Sequence, residues 1–377
     1  MKIAFLVPDN REEFKNYDGS EPVIGPAPEA LLQGFAKIPS CEVHIVCCSK
    51  RPIASPEKIA PNIFYHCLVV PKWGWLATGF SRCVMEIRRK LQALQPDIVH
   101  GQGTERYCAL GAALSGFPNV VTIHGNMRML ARVNKARPFS YPWLMAGLEA
   151  FTLPRTGGIV CITRYTEDLV KPLARRSWIV PNAVDSSFFE VKPRPADLPE
   201  ILCVANIEPR KNQLAFMRSL DRLAGRIPFR VTFLGKLPPT PFSQEFEQMV
   251  RERAWCRHAG YAGRPALREA LSQARLLVLP SLEDNCPMVV LEAMAAGVPV
   301  IASRVGGVPE IIEDRVTALF CDPLSADSMS KTVEELLTNP ALADRLAKQG
   351  RESALKRFEC SVIARRHLEI YEEVRRG

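Results

Sequence analysis

The chain has 377 residues, 47% apolar and 24% charged, with a formal net charge of +9. That length suits two domains of ordinary size, each able to bury its own core, and the composition is that of a soluble globular protein. No run approaches the roughly 20 apolar residues of a membrane helix, and the apolar start ends at Pro8 and Asp9, too soon for a secretory core. Membrane spanning and export by that route are therefore excluded as expectations.

The charge is uneven. Residues 1–180 carry 22 Lys and Arg against 14 Asp and Glu, and the remainder carries 27 against 26. A basic first half favours an anionic partner. No helix-turn-helix, zinc-finger or RNP-like pattern supports nucleic acid, which leaves a membrane surface or an anionic lipid-linked acceptor. The twelve cysteines are scattered, with no Cys-x-x-Cys pair and no histidine pair at zinc spacing. Most read as buried thiols in a reducing cytoplasm.

In chain order, buried strands are predicted at 3–7, 42–47, 97–100, 120–124 and 158–162, with helices between them, including 29–36 and 81–94. The loop before the first of these helices holds Gly25 between proline-rich neighbours. His100 and His124 each end a strand and precede a glycine. The stretch 127–153, with Arg128, Arg132, Lys135, Arg137, Phe139, Tyr141 and Trp143, reads either as a basic amphipathic element for a membrane surface or as a packed helix with a solvated basic face. A short strand at 178–180 precedes Asn182 and Asp185, and the domain boundary is placed there. The pattern then restarts, with strands at 200–205, 229–234, 276–279, 299–302 and 318–320. Gly235 and Gly260 close two strands of this half, where small residues let backbone approach a ligand. Arg210 and Lys211 lie in the loop after strand 200–205. A last helix spans about 361–376. Strands alternating with helices argue for parallel sheets covered on both faces, with ligands outside the carboxyl ends of the strands.

Residues 280–310 are the most informative. A strand end at Pro280-Ser281 leads to the polar loop Asp284-Asn285-Cys286-Pro287, then to an apolar helix carrying one carboxylate, Glu292, and a stop at Gly297. A new strand and the loop Gly306-Gly307 follow. Pro287 suits the first turn of a helix. The free amides of that turn and the helix dipole favour an anion such as phosphate. A lone carboxylate on so apolar a helix needs a partner, and ribose hydroxyls would serve. Taken alone, Glu292 is equally an ordinary surface glutamate.

This segment resembles the donor-site signature of the family 4 glycosyltransferases (glycosyltransferase group 1): an acid, seven intervening residues, a glutamate, Ala-Met-Ala and a Gly-x-Pro-Val-Ile strand. The resemblance implies a GT-B fold, α/β, with two Rossmann-like doubly wound domains facing across a cleft. An acceptor-binding domain would span 1–180 and a donor-binding domain 181–360, with a terminal helix at 361–377 packing back on the first. It implies a metal-independent, retaining transferase that moves a sugar from a nucleotide-diphosphate sugar to a hydroxyl of a glycan or lipid-linked acceptor, in cell-surface polysaccharide synthesis. The enzyme would be cytoplasmic or peripheral at the inner face of an anionic membrane, with no cofactor and no nucleic acid. The implied catalytic residues are His124 facing the transferred sugar, through its backbone carbonyl or its imidazole, Asp284 for the sugar hydroxyls, and Lys211 for the diphosphate. The donor would also meet Arg210, Asn285, Cys286, Met288, Glu292, Gly25 and Gly235.

Three departures from the family pattern are visible. The first acid is aspartate, so Glu283 is an alternative to Asp284. Asn206 stands where an arginine is usual, with Arg210 placed to compensate. The glycine pair of the first loop is reduced to Gly25. Two rival readings stay open: a non-catalytic sugar-nucleotide-binding subunit, and a GT-B sugar-nucleotide epimerase.

Overall fold

The computed structural model describes residues 1–133, 135–194 and 196–376. The chain divides into two compact units, Met1–Ala183 with Cys360–Gly377, and Val184–Glu359.

The first unit is built on an eight-stranded sheet. Its strands are β1 (Lys2–Leu6), β2 (Glu42–Ser49), β3 (Lys58–Ala60), β4 (Ile63–Val69), β5 (Ile98–Gln102), β6 (Asn119–Ile123), β7 (Ile159–Cys161) and β8 (Ser177–Ile179). Their order is β3-β4-β2-β1-β5-β6-β7-β8, and only β3 runs antiparallel to its neighbour. The central strands are buried almost throughout and mostly apolar, because alternate side chains point to opposite faces and both faces are covered. Ile3, Phe5, Val43 and Ile45 enter one core. Ala4, Leu6, Val46 and Cys48 enter the other. Helices Pro26–Ala36 and Cys360–Arg375 close the first face, so tightly that a Cβ on Gly34 would lie 2.1 Å from the Cys360 carbonyl oxygen. Helices Ser81–Leu94, Tyr107–Ala113 and Tyr141–Thr152 close the second.

The β3–β4 pair was not foreseen. β4 carries Tyr65, His66 and Cys67 and is only partly buried, while β3 has three residues, two of them exposed. β3 is too short and exposed to carry an apolar run, whereas β4 carries one, interrupted only by His66, that the sequence reading passed over. The stretch 127–153 forms two helices, Met127–Val133 and Tyr141–Thr152.

The second unit has six parallel strands: β9 (Glu200–Val204), β10 (Arg230–Leu234), β11 (Cys256–His258), β12 (Leu276–Leu279), β13 (Val300–Ser303) and β14 (Leu319–Cys321), in the order β11-β10-β9-β12-β13-β14. Phe216, Leu220, Phe233, Phe246 and Ile301 lie in its core. After β9 the chain builds one half of the sheet on one side, then returns to β12 on the other. The loops leaving β9 and β12 therefore diverge and open a crevice at their carboxyl ends, the place where doubly wound sheets hold ligands. β1 and β5 form the corresponding switch in the first unit.

Candidate active site

Lys211 and Asp284 occupy the two diverging loops. β9 runs into a 3-10 turn, Pro209–Lys211, and Asn212 at φ 60° starts helix Gln213–Ala224. Lys211 Nζ lies 2.5 Å from Asp284 Oδ2, and both side chains are nearly buried, 13% and 11% exposed. Ser281 Oγ donates to the same carboxylate at 3.2 Å, and the amide of Asn285 at 3.2 Å. The backbone carbonyl of Asp284 accepts the amide of Gly307 at 3.1 Å. Gly306, at φ 51°, approaches so closely that a Cβ would sit 1.9 Å from that carbonyl oxygen. The loops after β9, β12 and β13 are thus joined through one aspartate.

The adjacent acid goes elsewhere. Glu283 pairs with Arg210 at 3.3 Å, and Arg210 also pairs with Glu208 at 2.8 Å. The Arg210 carbonyl accepts the amide of Leu282. Position 284 is therefore the acid locked into the loop junction, and 283 a half-exposed partner of Arg210. Neither cation stands unpaired: Lys211 is matched to Asp284, and Arg210 to two glutamates.

Helix Met288–Ala296 follows, with Pro287 as its N-cap rather than its first helical residue. Cys286 is buried, and Asn285 and Met288 are partly exposed. Glu292, 5% exposed, lies among Leu291, Ala293 and Met294. Burial raises its pKa to about 7, with Arg264 opposing the shift and Asp185 adding to it. Arg264 is itself held by Asp185 at 2.9 Å. Gly235 ends β10 with no room for a side chain, because a Cβ would lie 1.9 Å from the Ala205 carbonyl oxygen. Packing of adjacent strand ends therefore accounts for that glycine.

In the first unit, His124 follows β6. Its Nε2 lies 2.8 Å from Gln102 Oε1, and Asn182 hydrogen-bonds to the ring. An amide oxygen only accepts, so Nε2 carries the proton. Enclosure by the protein lowers the pKa of this ring to about 4, which Asn182 opposes. His124 is thus a neutral imidazole with protein partners, and its backbone carbonyl is better suited than a charged ring to meet a substrate. His100 is fully buried, bonded to Tyr371 at 2.5 Å and Thr122 at 2.7 Å, and is structural. Gly25 caps helix Pro26–Ala36 at φ −62°, and the nearest atom to a Cβ there would be 3.9 Å away. Nothing in its surroundings requires glycine. The loop between β1 and this helix is fastened instead by Arg11, fully buried against Asp9 at 2.9 Å.

Sequence reading missed Gln102, Asn182, Ser281, Glu149 and Arg264. Glu149 is fully buried and binds Thr104 Oγ1 at 2.6 Å and the amides of Met127 and Arg128, joining the loops after β5 and β6. Gln102 had a faint signal, lying two residues after His100 on the same strand face. Ser281 meets Asp284 only three residues away, while Asn182, Glu149 and Arg264 are matched through contacts between segments distant in sequence.

Comparisons with known proteins bear on the family and the fold. Residues 185–353 match the family described as "Glycosyl transferases group 1", and residues 29–188 match "Glycosyltransferase Family 4". The chain is 36% identical over 114 residues to alpha-maltose-1-phosphate synthase of Mycobacterium tuberculosis, a match covering 29% of this chain and 30% of that protein. Sucrose-phosphate synthase from Thermosynechococcus elongatus superposes with TM-score 0.78 at 20% identity, covering 99% of both chains. Anabaena Alr3699/HepE, solved in complex with UDP-glucose, gives TM-score 0.72 at 14% identity, covering 99% of this chain and 100% of that one. The fold is GT-B, and the chain belongs to the group 1, family 4 glycosyltransferases.

Proposed function

We propose that this protein is a retaining, metal-independent glycosyltransferase that takes a sugar from a nucleotide-diphosphate donor and passes it to a hydroxyl of a glycan or lipid-linked acceptor in cell-surface polysaccharide synthesis. It would work in the cytoplasm or at the inner face of the membrane. The observation that carries this reading is the junction of Lys211, Asp284 and Gly306-Gly307 at the switch point of the second sheet, with buried Glu292 on the helix that follows Asp284. A related fold holding UDP-glucose supports the class of donor.

Each group then has a task. Glu292, near neutrality, accepts ribose hydroxyls that repay its desolvation. Lys211 turns from Asp284 to the diphosphate and offsets charge on the leaving group. Asp284, released on one side but still held by Ser281 and the Asn285 amide, accepts a sugar hydroxyl. The acceptor oxygen bonds to the anomeric carbon as the bond to the diphosphate breaks. The electron pair goes to the departing phosphate oxygen, which takes the acceptor's proton.

Thermal denaturation with a panel of UDP-, GDP-, ADP- and TDP-sugars, in chelator, tests this. Ligand at 100 times its dissociation constant adds about 2.7 kcal/mol. One nucleotide class should raise the midpoint for wild type and not for Glu292→Ala. No shift with any donor would overturn the reading. Product analysis with donor alone separates transfer from epimerisation.

A further inference from the structure

Among the described residues, four of the six exposed aromatics of the first unit, Trp73, Phe139, Tyr141 and Trp143, precede or open helices Ser81–Leu94 and Tyr141–Thr152; Phe14 follows β1, and Phe151 lies at the other end of the latter helix. Helices Ser81–Leu94, Tyr107–Ala113 and Tyr141–Thr152 lie side by side on one face of its sheet. In parallel β–α units the helix N-termini gather at the carboxyl ends of the strands, and here their first residues touch in series. Trp75, before the first helix, meets Tyr107 of the second edge-on at 5.6 Å. Tyr141 of the third donates its hydroxyl to the carbonyl of Glu105, two residues before Tyr107, at 2.8 Å.

Outward from this series the rim is apolar. Trp73 is 54% exposed, Phe139 80% and Trp143 44%, with Leu76 and Tyr141 similarly open. Phe139 and Trp143 pack against each other at 5.4 Å and face solvent together. Phe139 holds a φ of 63°, a region that bulky residues rarely occupy. Its packing against Trp143 leaves it 80% exposed, so little of its apolar surface is covered by its own fold.

The same rim is cationic. Residues 69–155 hold 11 Lys and Arg against four acids; Arg88, Arg89, Lys90 and Arg155 lie in or beyond the later halves of the helices, and Lys72, Arg82, Arg106, Arg128, Arg132, Lys135 and Arg137 lie in the segments that precede or open them. Three of those acids are engaged, Glu86 by Arg89, Asp97 by Arg375 and Glu149 by loop amides, and the fourth, Glu105, has its Oε2 buried away from solvent. Glu12 and Glu13, on the loop after β1, are matched to Lys50 and Arg106. Arg82 stacks on Trp73 at 3.6 Å, and Lys72 and Arg137 are exposed beside the aromatics.

We infer that this rim is a docking surface for an anionic lipid bilayer, with Trp73, Phe139 and Trp143 entering the headgroup region and Lys72, Arg82 and Arg137 meeting lipid phosphates. Amphipathic aromatics prefer that boundary, and surface cations add to it at low ionic strength. The inference extends the proposed function by saying where the membrane of a lipid-linked acceptor meets the chain. It does not depend on transfer activity.

Flotation of the full chain tests it, using vesicles of phosphatidylcholine alone or with about one-third phosphatidylglycerol, at low ionic strength. Wild type should float with the anionic vesicles only. Phe139→Ser with Trp143→Ser, and separately Trp73→Ser, should each reduce the bound fraction about tenfold. Arg345→Ala with Lys348→Ala, exposed cations of the second unit, should leave it unchanged. Lipids brominated in the acyl chain should quench tryptophan fluorescence of wild type, and much less that of Trp73→Phe with Trp143→Phe. Failure to float with anionic vesicles overturns the inference, as does flotation insensitive to the rim substitutions. Salt-sensitive capture of an oligonucleotide without flotation would assign the charge to nucleic acid instead.

Discussion

Glu292 has a cost that can be measured without any ligand. Its folded pKa of about 7 lies above the ordinary 4.5. Between those values the folded chain holds a proton that the unfolded chain has lost, so stability falls as pH rises through that window. The loss is on the order of 3 kcal/mol by pH 8. Urea denaturation at pH 5 and pH 8 should show it in wild type and not in Glu292→Gln, which should also lose donor binding. His124 behaves oppositely. Its folded pKa of about 4 lies below the usual 6.5, so its contribution is present above pH 6.5 and disappears as pH falls toward 4. It stays neutral across the physiological range, and the pH profile of transfer should carry no His124 limb there. Lys211 and Asp284 are coupled. Removing Lys211 alone leaves a nearly buried carboxylate, at a cost of about 3 kcal/mol. Lys211→Ala with Asp284→Asn should cost clearly less than the sum of the singles, read from denaturation midpoints.

At the scale of elements, the positions of most strands were legible to within one or two residues, because a parallel strand covered on both faces is mostly apolar. The predicted strands at 276–279 and 299–302 correspond to β12 and β13. What escaped was the hairpin at one sheet edge, where β3 is short and exposed and β4, though apolar but for His66, is only partly buried. Glycines divide the same way. Gly306 is needed because its φ is positive and the Asp284 carbonyl fills the place of a side chain. Gly306→Ala should destabilise by roughly 3 kcal/mol or more and abolish donor binding, read from urea midpoints and the donor-induced thermal shift. Gly25→Ala should be tolerated within about 0.5 kcal/mol, because no atom lies within 3.9 Å of its added carbon.

At the scale of the molecule, the terminal helix belongs to the first unit. His367, Ile370 and Tyr371 are buried against its sheet, and Tyr371 bonds His100 across 271 positions of sequence. Deleting residues 360–377 should therefore expose one face of the first sheet. Hydrogen exchange should rise throughout the strands of that unit while those of Val184–Glu359 keep their protection. Among the described residues no helix is long and apolar enough to cross a membrane.

The sequence by itself determined the class of architecture and the segment that forms the donor edge. Apolar periodicity and glycine–proline punctuation are local properties, and the spacing of Asp284, Glu292 and Gly306-Gly307 survives in one continuous stretch of chain. Only the tertiary structure decided which charges neutralise each other. Lys211 lies 73 positions from Asp284, Gln102 lies 22 from His124, and Tyr141 lies 36 from Glu105. A pairing of that kind depends on which loops the sheet order brings side by side, and no local pattern in the chain records it.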